Sequence, residues 1–222
     1  GLGLMGIADM FIQMGITYGS KESIELSEQI SFFMMDRAIA ASAKLAQQLG
    51  AFPMCETEQI MKSPFFLQNT TEETRKLVEE FGLRNSQLLT IAPTGTLSTM
   101  LGISGGIEPI YANYYERTTQ SLHGRDVTYR VYTKIVEEYM KLHNLSEVDE
   151  LPDYFVTAME LDYHSRLKMQ ATWQKHIDAS ISSTVNVPNE FSVEQVGELY
   201  FEAYELGLKG VTLFRDGCKR TG

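Results

Sequence analysis

The chain has 222 residues, 43% of them hydrophobic and 22% charged, with a net charge of −10. That length makes one large domain or two small ones, able to bury roughly 70% of the unfolded-chain surface, and the composition is that of an ordinary soluble protein. The acidity excludes a nucleic-acid backbone as partner, because that needs a basic face, yet a few local donors could still hold a small nucleotide.

The chain opens on Gly1-x-Gly3-x-x-Gly6, a dinucleotide fingerprint on paper. The fingerprint works only after a strand and inside a βαβ unit, and nothing precedes it here, so the glycines are expected to allow close packing of a first helix. The apolar stretch from Leu2 to Ile16 is broken by Asp9 and Gln13 and lacks a basic leader, so no membrane span is expected. A first residue of Gly rather than Met fits a processed, truncated or split product.

From Ser20 to Leu49 there is neither Gly nor Pro, and Ile30, Met34, Ala38, Ala41, Leu45 and Leu49 recur at helical steps before Gly50. A long, largely buried helix is predicted. Thr70-x-x-Glu73 reads as a capping box for a helix carrying Leu77, Val78 and Phe81. A strand follows over 86–92. It ends at Pro93, and Thr94, Gly95, Thr96 and Ser98 then crowd a short loop that Leu97-Ser-Thr-Met-Leu101 can continue as a helix. Two readings of this loop stand. It is an anion cradle, with backbone N–H groups and a helix N-terminus converging on a phosphate, or an ordinary strand-to-helix connection with an N-cap hydroxyl.

A second Gly-rich turn, Gly102 to Pro109, leads to Tyr111, Tyr114 and Tyr115, which are expected in the core. An amphipathic helix is predicted over 127–143, an acidic surface loop over 144–152 and a helix over 163–177. The clearest unit is the last. Ser182 to Val187 reads as a strand, Ser192-x-x-Gln195 caps a helix with Val193, Val196, Leu199, Tyr200 and Ala203 on one face, and Val211 to Phe214 is a second strand. Strand, helix, strand at this spacing is a βαβ crossover with parallel strands. Arg215-Asp216-Gly217 beyond it is a turn, or a polar site at the carboxyl end of a strand.

Cys55 and Cys218 are far apart and lack metal-type spacing, which fits a reduced, cytoplasmic setting. Cys55 reads as a small buried residue, whereas Lys219 and Arg220 would favour a thiolate at Cys218. His123, His143, His164 and His176 show no paired spacing beside a Glu, so no metal site is expected.

Taken in order, Thr90-Ile-Ala-Pro-Thr-Gly-Thr96, Gly105-Gly-Ile-Glu-Pro109, Met169-Gln170 with Gln174-Lys175 and Asp178, Thr184-Val-Asn-Val-Pro188 and Lys209 to Gly217 resemble the C-terminal half of the catalytic subunit of ribonucleotide reductase. The pattern is most similar to the adenosylcobalamin-dependent class II enzymes, because Thr212-Leu213-Phe214 lacks the Tyr-Tyr pair that iron- or manganese-dependent relatives use as a radical relay. The resemblance implies an α/β fold, the second half of a ten-stranded barrel with mostly parallel strands and long flanking helices, with residues 1–222 as a single domain. It implies that Pro93, Thr94, Gly95, Thr96, Leu97 and Ser98 hold the phosphates of a ribonucleotide substrate, and that the complete enzyme uses adenosylcobalamin. The family's radical-bearing Asn-x-Cys-x-Glu loop and its reducing cysteines have no match here, so a partner carrying them is implied, with self-association through open sheet edges as a further expectation. Relatives commonly have His where this chain has Arg166, and Asn and Lys where it has Ala179 and Ser183. A non-catalytic nucleotide-binding or assembly module of the same fold, or a fragment of a class I reductase, are the alternative readings.

Overall fold

The computed structural model describes residues 1–119 and 127–218. Its first residues run extended beside the segment around Leu89, with Leu2 N–H donating to Leu88 O at 2.8 Å and Thr90 N–H to Leu2 O at 2.9 Å. Glycine lets the two backbones meet, since a Cβ on Gly3 would lie 2.4 Å from Thr90 O. The expected close packing is therefore real, but Gly1 and Gly3 pack against an extended segment and only Gly6 adjoins helix α1 (Ile7–Met14), as its N-cap.

Ser20 accepts from Ser23 N–H and caps α2 (Lys21–Leu49). The helix spans the predicted residues, but its buried stripe is different: Ser23, Ser27, Ser31, Met35, Ile39, Ala43 and Ala46 face inward, while Leu45 and Leu49 are exposed. Small side chains let α2 lie close to a later helix, where Ser27 Oγ donates to Met169 Sδ at 3.2 Å. Two short helices follow, α3 (Thr57–Lys62) and α4 (Pro64–Gln68). The cap of α5 (Glu72–Phe81) is Thr71, not Thr70. Asp36 on α2 takes the Thr71 N–H at 2.7 Å and its hydroxyl at 3.0 Å, which sets the chain one residue later.

The predicted strand over 86–92 is extended but pairs only at single residues, Leu89 with Leu2 and Ile91 with Ile181, both parallel. After α6 (Gly95–Leu101), β1 (Tyr114–Thr119) and β2 (Val127–Tyr132) form an antiparallel hairpin with Tyr114 opposite Tyr132. The helix predicted from Val127 begins only at α7 (Lys134–His143). In this run Val127, Tyr129 and Val131 alternate with Thr128, Arg130 and Tyr132, and a period-two pattern rich in β-branched and aromatic residues outcompetes helix.

The next helix is α8 (Tyr163–Gln174), and β3 (Thr184–Val187), α9 (Val193–Glu205) and β4 (Thr212–Arg215) then make the expected parallel crossover. Both bonds of the Ser192/Gln195 capping box form, at 2.9 and 3.2 Å. On α9, Leu199 and Ala203 are buried as expected, but Val193 and Tyr200 are exposed. The helix docks by a narrow stripe onto Leu167, Val185 and Val187.

The class is α/β with helix in excess. The parallel rows run from Leu2 through Leu89 and Ile91 to Ile181, β3 and β4. Among the described residues this is a small sheet plus a separate antiparallel hairpin, so the mostly parallel barrel half expected from the resemblance is present only in part. Beside the Leu89 bridge the Asp178 carboxylate takes the Leu88 and Leu89 N–H groups, so the ladder does not extend there. The main core gathers around Trp173, Met35, Leu89, Ile91 and Met169. No described helix is long and apolar enough to cross a membrane.

Candidate functional site

A cleft of about 740 Å³ opens where the parallel rows end. Ser182, Thr184 and Asn186 line it at alternate positions, so one face of β3 forms a wall. Pro93, Gly95 and Ser98 form another part of the lining.

The loop conformation explains why. Thr94 sits in the left-handed region at φ 49°, and its Oγ1 accepts from Gly106 N–H at 3.1 Å. Its hydroxyl is thus committed to the neighbouring Gly-rich turn rather than to the cleft. Gly105 is the residue that needs to be small there, because a Cβ on it would meet Pro93 O at 3.1 Å and Thr94 Oγ1 at 3.3 Å. The first backbone bond of α6 is Ser98 N–H to Thr94 O at 2.8 Å. The N–H groups of Gly95, Thr96 and Leu97 precede it and are the orphan donors of the helix. Ser98 is buried and its hydroxyl donates to Gly95 O at 3.2 Å. The side chains of Thr96 and Leu97 are exposed and lie outside the cleft lining. Only backbone donors of the loop are therefore open to a ligand.

No side chain in 93–98 is basic, and among the described residues the single cation in the cleft lining is Lys134. Its stem packs on the C-cap of α6, since a Cβ on Gly102 would lie 2.8 Å from Lys134 Cδ. Asp9 closes the floor by accepting from Ser104 N–H at 2.7 Å and Ser104 Oγ at 2.6 Å. Tyr111 and Tyr115, expected in the core, are 62% and 57% exposed and line the cleft mouth. Tyr115 stands on β1 and Tyr111 three residues before that strand, and this placement rather than composition decides their exposure.

Behind the cleft lies a group that residue patterns did not single out. Arg166 is 1% exposed, and its Nη2 donates to Glu108 Oε2, to Ser183 Oγ at 2.8 Å and to Thr184 O at 3.1 Å. Its Nη1 donates to the Tyr18 hydroxyl at 2.5 Å, and that hydroxyl donates to Ile107 O at 2.5 Å. Burial pushes the Tyr18 hydroxyl up to about 12, against the lowering pull of Arg166. Burial also raises the Glu108 carboxyl above its ordinary value, opposed by Arg166 and by the Thr184 N–H, which donates to Oε1 at 2.8 Å. A buried Arg beside an acid 58 residues away carries no periodic signal.

The other motif residues act as joints. Gln170 Nε2 donates to Gly210 O at 2.7 Å, and the Asp178 carboxylate accepts from Leu88 and Leu89 N–H, both at 2.7 Å. Gly217, at φ 71°, makes the turn after β4. Cys55 is half-buried and accepts from Leu83 N–H at 3.4 Å, whereas Cys218 is exposed. Lys219, Arg220 and His123 lie outside the described residues. His143 stacks on Tyr139, His164 pairs with Glu202 and His176 meets Asn69, so these three do not converge.

Residues 1–214 match the family model described as "Ribonucleotide reductase, barrel domain". The chain belongs to the ribonucleotide reductase family. It is 33% identical to the vitamin B12-dependent ribonucleoside-diphosphate reductase of Thermoplasma acidophilum, over 99% of this chain and 28% of that protein. It is 30% identical to the enzyme of the same name from Mycobacterium tuberculosis strain H37Rv, over 99% of this chain and 31% of that protein. To the ribonucleoside-diphosphate reductase subunit alpha of Chlamydia muridarum it is 27% identical, over 100% of this chain and 24% of that one. Among solved structures, the Actinobacillus ureae class Id ribonucleotide reductase alpha subunit superposes with a TM-score of 0.72 at 22% identity, covering 98% of this chain and 39% of that one. That likeness carries the fold. The chain spans less than a third of the length of these curated relatives.

Within this ribonucleotide reductase chain, Arg166 on α8 and Ser183 at the entry to β3 meet in space, the guanidinium reaching Ser183 Oγ at 2.8 Å.

Proposed function

We propose that this chain, a single domain over 1–222, is the substrate-holding half of a ten-stranded ribonucleotide reductase barrel. The complete protein reduces ribonucleotides to deoxyribonucleotides by thiyl-radical chemistry, and the radical and reducing cysteines lie upstream or on a partner. The task of this chain is to fix the phosphate end of the substrate, and through it the ribose, against a radical held elsewhere. The observation that carries this reading is the geometry of Pro93 to Ser98. Thr94 turns the backbone so that the orphan N–H groups of Gly95, Thr96 and Leu97 open α6 beside the cleft, where an anion is favoured.

Adenosylcobalamin for the complete enzyme is supported by the names of the relatives at 30–33% identity. The residues of this chain do not make its site by themselves. A cleft of about 740 Å³ has the capacity of a nucleotide pocket rather than that of a corrin with its side chains, and among the described residues no His or Cys lines it. The cofactor therefore belongs with the rest of the protein, and no step performed by these residues runs through it. A cytoplasmic setting follows from the same assignment.

Thr96→Pro tests the loop. Proline is tolerated in the first turn of a helix, so the change deletes one backbone donor and leaves α6 intact. A charge-assisted bond of this kind contributes about 1.5–3 kcal/mol, so affinity for a ribonucleoside diphosphate should fall by about tenfold or more in calorimetry. Reconstitution with a partner bearing the Asn-x-Cys-x-Glu loop, cobalamin and a dithiol should give reduction. Unchanged affinity in the variant sinks the loop assignment, and absence of turnover in the reconstituted mixture counts against the half-enzyme reading.

A further inference from the structure

We infer that Arg166 is a positioning residue for the phosphate loop: through the Glu108 carboxylate it fixes the turn from Gly105 to Glu108, and that turn keeps Thr94 in the shape that presents the loop's N–H groups. This rests on the reading that Pro93 to Ser98 holds the phosphates. The turn lies along the loop. A Cβ on Gly105 would meet Pro93 O at 3.1 Å and Ser98 Oγ at 3.4 Å, and one on Gly106 would meet Ile91 Cγ2 at 3.0 Å. Gly106 N–H donates to Thr94 Oγ1 at 3.1 Å. Thr94 has a positive φ without being glycine, and such a conformation persists only where its surroundings over-determine it. Here the surroundings are the turn.

The turn is held in its own right from behind. Glu108 N–H donates to Gly105 O at 2.8 Å and closes it. Two further elements then take the Glu108 carboxylate. Thr184 N–H at the start of β3 donates to Oε1 at 2.8 Å, and Arg166 on α8 donates to Oε2. Arg166 reaches the turn by a second route, since its Nη1 donates to the Tyr18 hydroxyl and that hydroxyl donates to Ile107 O at 2.5 Å. One guanidinium thus secures two consecutive residues of the turn, and its planar fork of donors is what allows both contacts.

Arg166 is 1% exposed and stands outside the cleft lining, so it acts on a ligand only through the turn. Burying a cation this deeply is costly unless it is paired and hydrogen-bonded. The pairing falls on the one carboxylate whose backbone shapes the loop. From Arg166 the constraint runs to Glu108, across the turn to Gly106, and from Gly106 to Thr94, the residue that aims the N–H groups of Gly95, Thr96 and Leu97.

The sign of one substitution separates positioning from charge. A carboxylate near an anion repels it, so on charge alone Glu108→Gln tightens anion binding. If the carboxylate holds the turn, the same change loosens the loop and weakens binding. The test is calorimetry with inorganic pyrophosphate on the protein as expressed from its gene. Glu108→Gln should weaken pyrophosphate by about tenfold or more, the loss expected for one charge-assisted bond to the anion. Arg166→Met should do the same, and Arg166→Lys should stay within about threefold of the wild type. Should Arg166→Met fail to fold, the double variant with Glu108→Gln removes the stranded carboxylate and carries the same expectation. In Thr94→Gly the positive φ costs nothing and the bond to the turn is gone, so adding Glu108→Gln there should change affinity by no more than about twofold. Amide exchange in folded Glu108→Gln should quicken over 93–98 and 105–108 but not over 193–205. Equal or tighter pyrophosphate binding by Glu108→Gln overturns the inference, as does exchange that quickens everywhere. A wild type that does not bind pyrophosphate sinks the loop reading and this one with it; a wild type that binds, with Glu108→Gln unimpaired, removes this one alone.

Discussion

Asp36 and Arg166 are charges placed where water does not reach, and each makes a measurable demand on the fold. Burial opposes ionisation of Asp36, but the Thr71 N–H and the Thr71, Thr74 and Arg37 side chains outweigh it and hold the carboxyl below its ordinary value. A group with a depressed folded pKa adds stability above its unfolded value of about 3.9 and loses it as pH falls through the folded one. Thermal stability of the wild type should therefore fall as pH drops below about 4, and Asp36→Asn should flatten that acid limb while lowering stability at neutral pH. Arg166→Met strips the counter-charge from Glu108 and should cost about 3–5 kcal/mol in denaturant unfolding. Adding Glu108→Gln should restore part of that loss, and strict additivity of the two changes would show that the pair is not coupled. At this scale the sequence revealed the loop and hid the pair. Thr94, Gly95 and Ser98 are neighbours whose types alone suggest a turn. Glu108 and Arg166 meet only because two separate elements fold together, and no spacing rule spans that distance.

Helices and strands were legible where local chemistry decides them and misread where packing does. The Ser192/Gln195 box and the βαβ unit it starts formed as expected, since capping is a contest settled within a few residues. In α2 the hydrophobic pattern named only the flank of the buried face: Ile30, Met34 and Ala38 pack on the core, but the fully buried stripe carries Ser23, Ser27 and Ser31, because small serines pack more closely than leucines at a helix contact. The expected consequence is an inversion of the usual rule. Ser27→Leu should overpack against Met169 and cost about 1–3 kcal/mol, whereas Leu45→Ser on the exposed side should stay within about 0.5 kcal/mol. Guanidinium denaturation of both variants checks this, and a larger loss for Leu45→Ser would refute the assigned face. The hairpin was read as helix for a related reason: its period-two pattern is short and runs directly into the helical pattern of α7.

Taken whole, the molecule is a sheet with both flanks free. Among the described residues β4 pairs only with β3, and the Leu2 row only with the segment around Leu89. Unpaired edges of this kind template further strands, and relatives more than three times as long supply many candidates. Alone, the chain should associate in a concentration-dependent way in light scattering, and the polypeptide carrying the other half should convert it to one defined complex. A monodisperse monomer at high concentration would remove the argument. The fold class and the order of the site motifs were legible at this scale because they follow the chain. The extent of the sheet was not, since rows joined by a single bridge have no pattern of their own.

Thr94 holds a backbone conformation that costs a side chain of its kind about 1–3 kcal/mol, secured by its bond to Gly106. On the proposed phosphate-holding reading, that energy is spent once, when the chain folds, and not again at each encounter with an anion. A loop already bent into its working shape has no ordering entropy left to lose on capture.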